Sequence, residues 1–154
     1  MTNDNSVMMT SEDHQAAFTE VAFLIESFAN TIDNIMGGAT APVGRIAGRS
    51  MARKLPVELD EATLATVLDI VSGRMGAGFE ISALYSGESE AGLTFGRCAL
   101  REVCNVRGIQ PGGPLCKIFH SYFDGILNEL LHRPVKSEIA EAGQTICKIK
   151  TLCQ

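Results

Sequence analysis

Hydrophobic residues in the first half of the chain recur at the spacing of amphipathic helices. Between Phe18 and Ile35 they follow the three-to-four-residue period of a helix face, and paired glycines then interrupt the pattern. A later stretch carries Gly44 and Gly48 one turn apart, a spacing that favours close helix packing. The ranges predicted to be helical are Ser11 to Ile35, Pro42 to Leu55 and Asp60 to Gly73.

The second half of the chain changes to the alternating period of half-buried strands. Two pairs of alternating segments each surround a turn, which is typical of antiparallel hairpins. A long apolar helix is predicted between the hairpins from Pro114 to His132, and residues 102–113 are predicted to be a loop or a short helical turn. The predicted strands are Gly78 to Tyr85, Gly92 to Leu100, Val135 to Ala140 and Thr145 to Leu152. This order predicts an α+β fold with an antiparallel sheet of about four strands packed against helices.

Length and composition favour one globular domain. The chain has 154 residues, 45% hydrophobic and 20% charged, and we expect a domain over residues 12–154 behind a disordered tail over residues 1–11. The net charge of -5 argues against a nucleic-acid partner. No apolar run is long enough to span a membrane, and the N-terminus lacks the pattern of a signal peptide, so a cytoplasmic location is expected.

Five cysteines are the main candidates for chemistry. The number is odd, no Cys-x-x-Cys occurs, and a cytoplasmic location favours thiols or metal ligands over disulfides. Cys116 at the start of the long helix is expected to react first, because a helix N-terminus stabilises a thiolate. His120 shares a helix face with Cys116 and could join it on a metal, or it is simply a helix-face histidine. The predicted metal ligands are Cys116, Cys147, Cys104 and Cys98.

Aromatic residues are concentrated on the predicted sheet and on the long helix that must cover it. Side chains in these places could line a cavity for an apolar ligand, and a closed core explains the pattern equally well. The predicted ligand-binding residues are Phe79, Phe95, Phe119, Tyr122 and Phe123.

Several segments together resemble the 4-vinyl reductase domain, which is also described as a hydrocarbon-binding domain. The resemblance covers residues 28–152, and its upstream part is Arg45-x-x-Gly48-Arg49-x-x-Ala52. The segments that carry its second half are Pro114-Leu115-Cys116, the Phe119…Gly125-Ile126-Leu127 helix core, Leu131-x-Arg133-Pro134-Val135 and Gly143-x-x-x-Cys147-x-Ile149. Related folds occur in vesicle-tethering TRAPP subunits and in sensory domains of aromatic-responsive and redox-responsive regulators.

The resemblance implies an apolar pocket between helices and sheet, and a homodimer. In the family's aromatic sensors a zinc ion is held by cysteines that match Cys116 and Cys147, together with a Glu-x-x-Cys. The corresponding region here contains Glu138 and Glu141 but no cysteine. Cys104 is therefore the first choice for a third ligand, and Glu138 or Cys98 for a fourth.

The expected function is that of a stand-alone domain binding a small hydrophobic molecule in a sensory or carrier role. An alternative is a cysteine-based redox or metal protein holding zinc, an iron–sulfur group or haem. A weaker alternative, an accessory role in tetrapyrrole vinyl-group reduction, rests on the family name alone. No catalytic residues are assigned, and Phe18, Phe23 and Phe28 of the first helix are expected to contribute to the dimer contact.

Overall fold

A computed structural model describes residues 8–154, which form five α-helices and four β-strands. Of the predicted tail, residues 1–7 lie outside the described residues, and Ser11 already begins the first helix. The helices are α1 (Ser11–Ile35), α2 (Ala41–Ala52), α3 (Leu64–Met75), α4 (Ala99–Arg107) and α5 (Pro114–Leu131). The strands are β1 (Phe79–Ser86), β2 (Glu90–Cys98), β3 (Val135–Ala142) and β4 (Cys147–Cys153).

The two predicted hairpins join side by side into one antiparallel sheet. The strand order is β1-β2-β4-β3, so that β2 and β4 are central and β1 and β3 are edges. Phe95, near the end of β2, pairs with Cys147 at the start of β4. The β3–β4 pairing shifts register between Ile139 and Glu141, near the end of edge strand β3. The α+β fold with four antiparallel strands is confirmed.

One face of the sheet packs against α5 and α3, and this is the main hydrophobic core. Among its buried members, Val67, Phe123 and Leu127 are fully removed from solvent. A smaller second core lies under α1, where Ala22 and Ala29 pack with Val103 of α4 and Leu115 of α5.

Helices α2 and α5 pack at unusually close range because glycines lie at the contact. A Cβ atom on Gly44 would stand 2.6 Å from the carbonyl oxygen of Ile118, and one on Gly48 would overlap the carbonyl oxygen of Tyr122. Gly125 makes the reciprocal approach to the backbone of Arg45. The predicted use of Gly44 and Gly48 in helix packing is confirmed.

A capping motif explains where α1 begins, whereas the start of α4 has no turn before it and was not predicted as a full helix. Helix α1 begins at Ser11 as predicted, and Thr10 caps it by a reciprocal capping box with Asp13. The segment predicted as a loop or short helical turn instead contains α4, which follows β2 directly and ends at Gly108 with a φ of 64°. No turn separates β2 from α4, so the sequence carries no turn residues to mark where the strand ends and the helix begins. None of the helices in residues 8–154 has the length and apolar character needed to cross a membrane.

Candidate functional site

The aromatic side chains of β1, β2 and α5 form one contiguous cluster. The Phe79 and Phe119 rings stack at 4.5 Å with an interplanar angle of 10°. Phe95 meets Phe119 edge-on at 6.2 Å and Phe123 at 5.9 Å, and Tyr122 tilts against Phe119. The five predicted aromatics therefore lie together, with Phe123 and Phe95 fully buried and Tyr122 only half-buried.

A small cavity lies at one edge of this cluster, beneath the first turns of α5. Its volume is about 20 Å³, room for about one water molecule. Of the predicted aromatics, Phe95 and Phe119 line it, whereas Phe79, Tyr122 and Phe123 do not. The other residues that line it are Cys98, Leu100, Arg101, Pro111, Gly112, Cys116, His120, Ile139, Ala142 and Cys147.

An open groove of about 670 Å³ lies on the other side of the cavity wall. It runs between the α1–α2 connection, α5 and edge strand β3, and it includes Lys117, Ser121 and Glu138. Four residues line both spaces: Gly112, His120, Ile139 and Ala142. The cavity and the groove thus lie next to each other and share these four residues as a common wall.

His120 contributes an unpartnered polar atom to that wall. Its side chain is 9% exposed, its ring meets Phe95 edge-on at 5.5 Å, and its buried Nδ1 has no hydrogen-bond partner. Burial lowers the pKa of His120 from 6.5 to about 4, so the ring is neutral at physiological pH. A neutral imidazole carries one acceptor and one donor nitrogen, which suits hydrogen bonding to an uncharged ligand.

Asp124, one helical turn after His120, is a second buried polar side chain. Its Oδ2 accepts the backbone N–H of Ser137 at 2.9 Å, which ties α5 to β3, while Oδ1 is buried without a partner. Burial raises the pKa of Asp124, and the hydrogen bonds from Ser137 and the charges of Arg45 and Lys136 oppose that rise.

Four of the five cysteines gather around the cavity. Cys98, Cys116 and Cys147 line it, and Cys104 lies beneath them with no exposed surface. Burial raises the pKa of Cys104 to about 11, and the neighbouring Cys116, Cys98 and Cys147 add to this rise because their charges would repel its thiolate. All five thiols are free. The four cysteines predicted to be ligands are thus neighbours in the fold.

A complete metal site is not preformed in this arrangement. Within residues 8–154, no group of three or more His, Cys, Asp or Glu side chains is placed to hold a metal ion. Glu138 and Glu141, the candidate carboxylates, lie exposed and pair with Lys136 and Lys148. The zinc set stays a prediction.

Arg101 is a functional candidate that the sequence analysis missed. The first residues of α4 carry it under the sheet, where it is 5% exposed. Its guanidinium donates to the carbonyl oxygens of Phe95, Gly96 and Gly143 at 3.0, 2.5 and 3.2 Å. It also donates to Cys147 Sγ at 3.3 Å. One signal was present in the sequence: an arginine between two cysteines, Cys98 and Cys104, that were themselves candidates for chemistry.

The outer surface of α1 presents a row of apolar side chains to solvent. Val21, Leu24, Phe28 and Ile35 are all exposed, Phe28 by 60%. Of the aromatics predicted for a dimer contact, Phe18, Phe23 and Phe28 are all exposed, and the Arg107 guanidinium lies 4.3 Å from the centroid of the Phe23 ring.

Comparison with known proteins bears on the fold. No protein-family model matches the chain, and no curated protein matches it, so the resemblance to the 4-vinyl reductase domain stays a prediction. Among solved structures, the chain is similar to the phenol-responsive sensory domain of the transcription activator PoxR, determined with phenol. The two share 14% identity with a TM-score of 0.57, over 88% of this chain and 74% of the other. At this identity the likeness establishes the fold alone: the chain has the α+β architecture found in that sensory domain.

Proposed function

We propose that the protein binds a small, uncharged apolar molecule at the cavity under the first turns of α5, in a sensory or carrier role. The observation that carries this proposal is the wall that the cavity shares with the open groove at Gly112, His120, Ile139 and Ala142. The similarity to a phenol-responsive sensory domain supports it at the level of fold.

Entry of a ligand requires the shared wall to move. Ile139 and Ala142 belong to edge strand β3, whose pairing is already irregular at Ile139, so the strand side of the wall is the part expected to move. A molecule that moves these side chains joins the water-sized cavity to the groove. Burying about 200 Å² of its carbon surface would contribute about 5 kcal/mol before the costs of association.

The polar surroundings select the kind of ligand. Phe95 and Phe119 offer aromatic surface, while His120 Nδ1 offers an unpartnered acceptor or donor. An aromatic molecule with one hydroxyl group satisfies both, since an unmet buried polar group costs about 1–3 kcal/mol. We therefore expect phenol to bind more tightly than toluene.

Calorimetric titration with phenol and with toluene tests the proposal. Ala142→Trp fills the shared wall and is expected to abolish binding. Ala140→Trp is the matched control, because Ala140 is an exposed alanine of the same strand that lines neither space. Equal binding by the two variants, or no heat from either probe with the native chain, contradicts the proposal.

A homodimer is part of the same proposal. The exposed row on α1 brings several apolar side chains together on one helix, and a two-fold axis would bury the row against itself. Sedimentation of the native chain at micromolar concentration is expected to give a dimer.

A second candidate function, a thiol-based redox or metal protein, is favoured by the four cysteines that gather around Cys104. Oxidation would join Cys104 to Cys116, and zinc would need the thiols to close around it, so that uptake reshapes the site. Zinc content and the number of free thiols before and after oxidation test this. Cys116→Ser should remove both responses, whereas Cys153→Ser, on β4, should leave them.

A further inference from the structure

The start of α2 presents free hydrogen-bond donors to the open groove. Among residues 8–154, the backbone N–H groups of Thr40 and Ala41 make no hydrogen bond to a carbonyl oxygen. The hydroxyl of Thr40 does not cap the helix, although Thr40 is only 3% exposed, and both residues line the groove. A helix N-terminus carries partial positive charge, and its free N–H groups need a cap, water or a ligand. This end of α2 therefore suits a negatively charged group.

Two side chains of α5 add donors on the facing wall of the same groove. Lys117 is exposed, and the ion pairs among residues 8–154 do not include it. His120 is 9% exposed, and its buried Nδ1 has no hydrogen-bond partner. Both residues line the groove, and a neutral imidazole can donate one N–H to a carboxylate. Donors from two separate helices thus border one space.

The rest of the groove limits its occupant to an apolar body with one negative charge. Ala39, Ile139 and Ala142 supply apolar lining, and the volume of about 670 Å³ is in the range of small-molecule sites. One carboxylate, that of Glu138, also lines the groove, and Lys136 Nζ lies 3.8 Å from it. This carboxylate would repel a doubly charged group such as a phosphate more strongly than a singly charged one.

We propose that the groove is a second ligand site, and that it binds organic monocarboxylates. The carboxylate accepts hydrogen bonds from the start of α2 at Thr40 and Ala41 and lies near the Lys117 ammonium group. The apolar body of the ligand lies along Ile139 and Ala142. The groove is already open, so this binding requires no movement of the shared wall. The proposal is therefore independent of the binding of an uncharged molecule in the cavity.

Titration of the full chain with sodium benzoate, followed by amide chemical shifts at neutral pH, tests the proposal. Benzamide is the matched probe, because it has the same shape without the charge. Benzoate is expected to shift the amide signals of Thr40 and Ala41 in a saturable way and to bind about tenfold more tightly than benzamide, since hydrogen bonds to a charged group are the stronger ones. Equal affinity for the two probes, or benzoate that leaves both amide signals in place, overturns the proposal.

Variants at the two ends of the carboxylate site sharpen the test. Thr40→Val removes the hydroxyl at similar volume and should weaken benzoate binding by about tenfold, whereas Thr40→Ser should retain it. Thr40 is buried, so a variant there can disturb folding, and Lys117→Gln at an exposed position keeps the test decisive.

Lys117→Gln should weaken benzoate binding by about threefold and leave benzamide binding unchanged. Lys54→Gln is the matched control, because Lys54 is an exposed lysine that does not line the groove. Benzoate binding of equal strength in these two lysine variants overturns the proposal.

Discussion

From Ile126 to Leu131, the sheet-facing side chains of α5 belong to the closed main core, whereas from Pro114 to Ser121 the same helix borders a cavity and an open groove against the sheet. The last turns place Ile126, Leu127 and Leu131 in the main core. The first turns instead bring a thiol and a buried imidazole to the sheet edge. Both halves are apolar in sequence. The hydrophobic pattern therefore identifies which face of α5 packs against the sheet, but not which half of that face borders a cavity.

The largest difference between the two halves should appear on truncation of a side chain. Leu127 is fully buried, and Leu127→Ala is expected to lower the free energy of unfolding by about 4 kcal/mol through lost burial and the cavity left behind. Phe119 is partly exposed and already borders a cavity, so Phe119→Ala should cost about 2 kcal/mol. Urea unfolding measures both, and equal losses would remove the distinction between the halves.

The glycine contact that holds α5 in place gives the next effect. Gly48→Ala puts a methyl group onto the carbonyl oxygen of Tyr122 and is expected to cost about 3 kcal/mol, since backbone must move. Gly73→Ala is the matched control: it lies within α3 with nothing near its Cβ position, and it should stabilise the chain by up to about 1 kcal/mol. A harmless Gly48→Ala would mean that α2 and α5 are not in close contact.

The buried imidazole gives the cavity half its own pH dependence. The pKa of His120 is about 4 in the folded chain and 6.5 as its ordinary value, so between these the unfolded state binds more protons. Its effect is absent above about pH 6.5 and costs stability as the pH falls toward 4. At pH 5 the cost is about 2 kcal/mol. The raised pKa of Asp124 acts in the opposite direction, because a carboxyl that binds protons more readily when folded favours folding at low pH.

Comparison with His120→Gln isolates the histidine, since Asp124 is present in both proteins. The variant should lose less stability than the native chain between pH 7 and pH 5. Parallel stability curves for the two proteins would show that His120 accepts a proton in the folded state as easily as in the unfolded one.

The smallest effect on folding is expected at the surface of α1, which packs on the first turns of α5 through Leu115 and Ile118. Phe28→Asp should change the free energy of unfolding of the monomer by no more than about 0.5 kcal/mol, because Phe28 is exposed. It should nevertheless dissociate the proposed dimer in sedimentation, whereas Thr19→Asp, at another exposed position of α1, should not. A dimer that survives Phe28→Asp uses a different surface.

The sequence predicted the parts of the fold that depend on local periodicity. The start of α1 at Ser11, the period of α5 and the alternation of the four strands are all set within a few residues. It also identified the aromatic cluster, because Phe79, Phe95 and Phe119 must meet wherever a helix covers that sheet.

The candidate site could not be predicted from the sequence, because its contacts join residues that are far apart along the chain. Arg101 reaches Gly143 and Cys147 because β2 and β4 pair from Phe95 to Cys147, and the sequence does not specify which strands are neighbours. The division of space into a cavity and a groove likewise depends on Gly112 meeting Ala142, two residues on different elements.

Chemical-shift mapping of phenol binding along α5 tests the central claim most directly. With increasing phenol, amide signals of residues 116–120, together with those of Gly112 and Ala142, should shift in a saturable way, while those of residues 126–131 stay in place. The same titration of Ala142→Trp should leave all of them unchanged. Saturable shifts confined to residues 126–131, or no saturable shift anywhere along α5, would contradict a ligand site in the first turns of this helix.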